Sequence, residues 1–265
     1  MRPSLTQAED YGRGHDWNPP DTKYWAFPPT AASRNIWSFG GHGFEYSVIF
    51  VHNTSVFLKD WEIMKEAGNR LFAIADLQQG HFTSKQAQGA GFAYSTHSYH
   101  VKVGNWVREY RGIYRLAQYA EADRPDLVLW ALWSRDRKRD EPQGVYSHQT
   151  ALSLYELSDL MPAKLHMTVP PGFHRGGKIP DVLALHRSKL HKDEVDSRRG
   201  FRVTRPLRTV ADLIRKDSVS RDFLVQAMKE SLKRGLLSRS EIEKSPRLST
   251  AVRKKMCAIL KEIGR

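Results

Sequence analysis

Between Gly80 and Leu116 the chain reads GHFTSKQAQGAGFAYSTHSYHVKVGNWVREYRGIYRL, and its pattern changes period once. Thr83 stands at the head of a run reaching Ala87, where its hydroxyl can accept one of the unpaired N–H groups of a first helical turn. Gly89 and Gly91 are expected to stop that helix. Ser95 or Thr96 is placed to cap a second short helix carrying His97, Ser98, Tyr99, His100 and Lys102, which Gly104 and Asn105 break. From Trp106 the period falls to two. Trp106, Arg108 and Tyr110 then share one side and Val107 and Glu109 the other, Arg111-Gly112 makes a turn, and Ile113 to Leu116 return.

Upstream, KEAGNRLFAIADL has helical spacing through Leu71, Ile74 and Leu77. Residues 1–62 hold Trp17, Trp25, Trp37 and Trp61 among Asn18-Pro19-Pro20, Pro28-Pro29 and Gly40-Gly41, with no sustained period. Aromatics without periodicity specify no core. This segment is expected to be a disordered extension, or upstream sequence read from a mis-assigned start with Met64 as the natural initiator. The competing expectation is a strand over 44–57. Downstream, Pro125 and Asp126 introduce a helix in DLVLWALWSRDRK with Leu127, Trp130, Ala131 and Trp133 to bury, followed by the charged, turn-prone RDRKRDEPQG. Ser147 is expected to cap a helix through HQTALSLYELSDL, strands are expected at 165–169, 182–186 and 201–204, and Thr204 is expected to cap a helix over 206–214. Helices over 221–234, 240–244 and 250–263 complete the pattern. The fold class expected is α+β: an extension at 1–62, a helical DNA-reading unit at 63–118, and a mixed α/β domain with C-terminal helices at 119–265.

Charge separates these parts. The 265 residues carry a formal net charge of +13. Residues 1–62 hold five Lys/Arg against seven Asp/Glu, so the other 37 Lys/Arg and 22 Asp/Glu lie beyond them. A basic region of that size suits a polyanionic partner, because each neutralised phosphate releases condensed counterions. Cys257 is the only cysteine, which excludes a disulfide framework and a cysteine zinc site and suits a reducing cytoplasm. Apolar runs such as Val48 to Val51 are far short of the roughly 20 residues of a membrane helix. The N-terminus also lacks the pattern of a secretory signal. No membrane partner and a cytoplasmic location are expected.

Two tightly joined helices followed by a basic hairpin imply a winged helix-turn-helix with Arg111 at the wing tip. In such a unit the second helix enters the major groove of double-stranded DNA, which points to Thr96, His97, Tyr99 and His100 as base-facing residues. Arg, Asn and Gln, the usual bidentate readers, are absent from that helix. Lys85, Lys102, Arg108, Arg111 and Arg115 are candidates for phosphate contacts, and Arg111 could instead enter the minor groove. His97 and His100 at i, i+3 share a helix face, yet no further strong metal ligand adjoins them.

From about Met64 to about Glu243 the chain resembles the AbiEi family of antitoxins from bacterial type IV toxin-antitoxin operons. The resemblance is carried by HFTSKQAQGAG, NWVREYRGIYRL, YSHQTALSLYEL, KLHMTVPPGF and VTRPLRTVADLI, in that order and spacing. It implies an autoregulatory transcriptional repressor that binds promoter DNA of its operon and counteracts a nucleotidyltransferase toxin indirectly, with no cofactor. A stand-alone regulator and a nucleic-acid-acting or phosphate-transferring enzyme are the alternatives.

Enzyme signatures are incomplete. Gly172 to Lys178 fits GxxxxGK, but Ile179 replaces the magnesium-binding hydroxyl and Pro180 stands where a helix should start, so a basic loop between strands is expected. Pro180-Asp181 lacks the downstream carboxylate and lysine of a metal nuclease. No GxSxG elbow occurs. Ser147-His148 is read as a helix cap, since adjacent helical residues point about 100° apart. Arg208 and Asp212, at i, i+4, can pair, and if buried would fix the orientation of their helix. Arg253, Lys254, Lys255 and Lys261 form a basic terminal face, usually a solvated one.

Overall fold

The computed structural model describes residues 54–120 and 122–264, with side chains from residue 62. Residues 1–53 of the expected extension, and with them most of the alternative strand, lie outside the described residues, whereas Met64 falls inside them. Helix α1 runs without a break over Thr54–Asp76, so it crosses the expected boundary at residue 62 and is helical where the strand was to end. Ala67, Leu71 and Ala75, one turn apart, form its buried stripe.

Strand β1 (His81–Thr83) follows, a three-residue element too short to be signalled by alternation. Helix α2 (Ser84–Ala90) begins with a capping box. The Gln86 N–H donates to Thr83 Oγ1 at 3.1 Å while the Thr83 N–H donates to Gln86 Oε1 at 2.8 Å. The helix passes through Gly89 and is closed by Gly91 alone, at φ 112, where a side chain would strain the backbone. Helix α3 (His97–Lys102) continues a 3-10 turn at Tyr94–Thr96. Neither Ser95 nor Thr96 caps it: the Thr96 hydroxyl donates backwards to the Ala93 carbonyl at 2.8 Å, because the 3-10 turn already occupies the entry.

Strands β2 (Trp106–Tyr110) and β3 (Ile113–Leu116) form the expected hairpin, and β3 is the centre of a three-stranded antiparallel sheet ordered β1-β3-β2. Arg108 pairs with Tyr114 and Tyr110 with Ile113, so Glu109 is a bulge. Gly112, at φ 70, completes the turn. Phe82, Phe92, Trp106 and Tyr114 fill the space between this sheet and α1, with Phe82 edge-on to Trp106 at 4.9 Å.

The second lobe is a mixed five-stranded sheet, β6-β5-β4-β8-β7, flanked by helices. Helix α4 (Pro125–Trp133) leads to β4 (Val145–Tyr146), α5 (His148–Leu154), β5 (Leu165–Val169), β6 (Leu183–Arg187), β7 (Val195–Arg198) and β8 (Phe201–Thr204). β5 pairs parallel with β6, and β4 pairs antiparallel with β5 and parallel with β8. Helices α6 (Pro206–Lys216), α7 (Arg221–Lys233), α8 (Arg239–Lys244) and α9 (Thr250–Ile263) build a further core around Met228 and Met256. The described residues are therefore α+β, with two sheets. The lobes are joined by more than their linker: Ile113 of the hairpin is fully buried in the largest core, the one that holds Leu127 and Trp133.

Two further expected caps are absent. Ser147 makes no cap bond; its Oγ accepts from Thr168 Oγ1 at 2.7 Å and lies 2.9 Å from His148 Nδ1. That neighbouring contact exists because His148 adopts φ 52, outside helical geometry. α5 also ends at Leu154, several residues early. Thr204 does not cap α6 through its side chain; its hydroxyl bonds that of Thr209 at 2.8 Å, and Arg205 occupies the cap position.

Candidate polyanion-binding groove

A groove of about 1240 Å3 opens between the lobes. One wall is α2, the entry to α3 and the hairpin, contributing Lys85, Gln88, Tyr94, Ser98, Arg108, Tyr110 and Arg111. The other is the loop after α4 and the loop between β5 and β6, contributing Arg135, Arg137, Arg175 and Lys178 above Trp133. Seven cations line it against one carboxylate, Asp140. Such an excess in a concave site concentrates positive potential where a strand of phosphates would lie.

Local geometry explains how the hairpin aims its charges. Arg108 lines the groove with Tyr114 as its cross-strand partner, and the bulge at Glu109 shifts Tyr110, which also lines the groove, to pair with Ile113. Arg111 sits exposed at the turn. The carboxylates nearby are committed elsewhere. Glu109 holds Arg115 at 2.9 Å outside the groove lining, Asp140 pairs with Arg135 at 2.9 Å and accepts from Thr83 Oγ1, and Asp136 accepts from its own loop at the Lys138 and Arg139 N–H groups. Those two backbone donors hold the Asp136 carboxyl below the usual range. Among the described residues, Arg108, Arg111 and Arg137 have no carboxylate in ion-pair distance.

The far wall is tied to its surroundings by several contacts. Arg135 donates to the Gly112 carbonyl at 3.3 Å, tying the hairpin tip to the second lobe, and Lys85 Nζ donates to the Lys138 carbonyl at 2.6 Å. Arg175 lies over the Trp133 ring, 5.4 Å from its centroid, and donates to the Arg135 carbonyl at 3.2 Å. Burial, then the nearby Arg135 and Arg137, lower the pKa of Arg175, although a guanidinium stays charged at any physiological pH.

Of the residues expected from sequence, Lys85, His97, Arg108 and Arg111 border this groove. Thr96, Tyr99, Lys102 and Arg115 do not border it. His97 and His100 are both 2% exposed and pack in the first lobe's core; His97 still borders the groove, whereas His100 does not and is corrected as a base-facing residue. His100 stacks on Trp106 at 4.6 Å, and His97 is edge-on to the same ring at 5.2 Å, its Nε2 near the Phe92 carbonyl at 3.3 Å. Burial, then His97, push the His100 imidazole down to about 4, so it is neutral at pH 7. The cause is α3's short length: its apolar face has few large residues besides Val101, and the two imidazoles supply the packing volume. Arg135, Arg137, Arg175 and Lys178 were not foreseen as site residues. Their signal was present as two basic loops, RDRKR and the GxxxxGK phrase, about 40 residues apart and united only by tertiary structure. No helix follows that phrase, so it forms a loop and no phosphate cradle at a helix start.

Among the described residues, no group of three or more His, Cys, Asp or Glu is arranged to hold a metal, and no helix is long and apolar enough to cross a membrane.

No protein-family model matches the chain, and no curated protein matches it. The crystal structure of the RV2827C protein from Mycobacterium tuberculosis is similar to it at a TM-score of 0.49 and 12% identity, over 75% of this chain and 78% of that one. A likeness of that degree assigns neither family nor function.

Proposed function

We propose that this protein is a transcriptional regulator that binds double-stranded DNA, with α2 and α3 as a helix-turn-helix and the β2–β3 hairpin as its wing. Support comes from the element order, helix, short strand, two helices and hairpin, closed into one three-stranded sheet. The observation that carries the reading is that Arg108 and Arg111, unpaired among the described residues, face the same groove as Lys85. Guanidiniums left without carboxylates in a concave site are suited to phosphate oxygens. Gln88, Ser95 and Ser98 are among the neutral hydrogen-bonding groups along that wall, and Gln88 is the side chain there able to pair with adenine.

On the family resemblance, the proposal extends to an antitoxin of a type IV system in the cytoplasm. It would repress its own promoter and counteract a nucleotidyltransferase toxin indirectly. Co-expression with an adjacent nucleotidyltransferase-like gene tests that part: growth rescue supports it, and lack of rescue by folded protein leaves a stand-alone regulator.

The DNA assignment is tested by fluorescence anisotropy on a labelled duplex from the region upstream of its gene. With Lys85, Arg108, Arg111 and two further cations engaged, log K should fall against log salt with a slope of about −4 to −5. Arg108→Ala with Arg111→Ala should weaken binding roughly tenfold or more, about 1.4 kcal/mol, and flatten the slope by about 2. An unchanged slope removes the hairpin from the interface.

A further inference from the structure

We infer that the second lobe carries its own phosphate-binding subsite, formed by Arg137, Arg175 and Lys178 opposite the hairpin, so that one nucleic-acid backbone is gripped from both walls of the groove. This inference rests on the DNA-binding reading and extends it to residues that lie outside the helix-turn-helix.

Three observations support it. First, these side chains line the same groove as Arg108 and Arg111. Second, they are available or easily freed. Arg137 is exposed and has no hydrogen bond or ion pair among the described residues, and Lys178 meets only Asp181, at 3.0 Å with both side chains more than 80% exposed. An exposed pair of that kind is weak and yields to a phosphate. Third, the subsite is preorganised. Phe173 is buried, its ring 6.1 Å from that of Trp133, which anchors the loop, and Arg175 is laid on Trp133 by a cation–π contact.

The electrostatics point the same way. Arg135, Arg137 and Arg175 are crowded together, and the one carboxylate lining the groove, Asp140, is already matched to Arg135. Like charges held close without counter-charge oppose folding. An external anion relieves that repulsion, and a backbone already seated against the hairpin supplies one phosphate after another. Arg135, by contrast, is a positioning residue, since its guanidinium is occupied by Asp140 and the Gly112 and Leu132 carbonyls.

The test uses the full chain and the same labelled upstream duplex, titrated with salt. Arg137→Ala with Lys178→Ala should flatten the salt slope by about 2 while leaving the thermal midpoint unchanged or raised. Arg137→Lys with Lys178→Arg should keep the wild-type slope, and Lys254→Ala with Lys255→Ala, on the terminal helix, should also keep it. If the Arg137/Lys178 variant keeps the wild-type slope while the Arg108/Arg111 variant loses it, the subsite is overturned and the DNA-binding reading stands. A lowered midpoint, or an equal loss from the Lys254/Lys255 variant, also overturns it. No binding by the wild-type chain overturns both.

Discussion

Arg208 and Arg108 are the same side chain put to opposite uses. Arg208, on α6, is buried and saturated: it meets Asp212 at 2.8 and 2.9 Å, Glu194 at 2.9 and 3.0 Å, and Ser188 Oγ at 2.9 Å. Burial alone would lower its pKa, but the two carboxylates reverse that and raise it. Arg108 lines the groove with no such partner among the described residues. A guanidinium whose donors are filled from within belongs to the fold; one left open in a concave basic site is available to something outside. Counting arginines, which is what composition does, merges the two kinds.

The contrast is tested first at its internal side. Arg208→Ala leaves Glu194 and Asp212 facing each other with most of their compensation gone, and should cost about 3–5 kcal/mol in denaturant unfolding. A loss below about 1 kcal/mol would erase the distinction. Acid supplies the next largest effect. Burial, then neighbouring imidazoles, hold His100 at about 4, His148 at about 3 and His186 at about 4. All three are neutral in the fold, whereas the unfolded chain takes up their protons below about 6.5. Stability is therefore complete above that pH and declines as pH falls through the window from about 6.5 to about 3, with His100 alone contributing about 3 kcal/mol to the loss. Urea midpoints at pH 7 and pH 5 check the sign, and a flat profile would return these histidines to solvent. The smallest effect is local. Thr83→Ala removes the α2 cap and the hydroxyl bond to Asp140, and should cost about 1–2 kcal/mol while leaving the salt slope of DNA binding near its wild-type value. A large slope change would mean that this tie shapes the groove itself.

Local chemistry was legible where it is self-contained. The Thr83 cap, the Arg111-Gly112 turn and both hairpin strands follow from residues within a few positions of one another, and α9 begins and ends where its periodicity does. β1, β4 and β7 were not legible, being two to four residues long and existing only because a longer strand lies beside them. Ser147 misled because its partner is Thr168, a strand away, and not its own helix. His97 and His100 misled for a related reason: polar residue types on a helix read as surface until the ring they stack on is in place. Half of the groove was legible, since the hairpin arginines announce themselves by alternation. The other half depends on how two distant loops are folded back to meet them.

Ile113 gives the hairpin a foot in the larger core, which Leu127 and Trp133 of α4 share. Cutting the chain after the hairpin would withdraw that plug and open a greasy socket in the downstream piece, so severed halves should cling to each other or to anything oily. Separate duties within this protein are therefore better dissected by point substitution than with scissors.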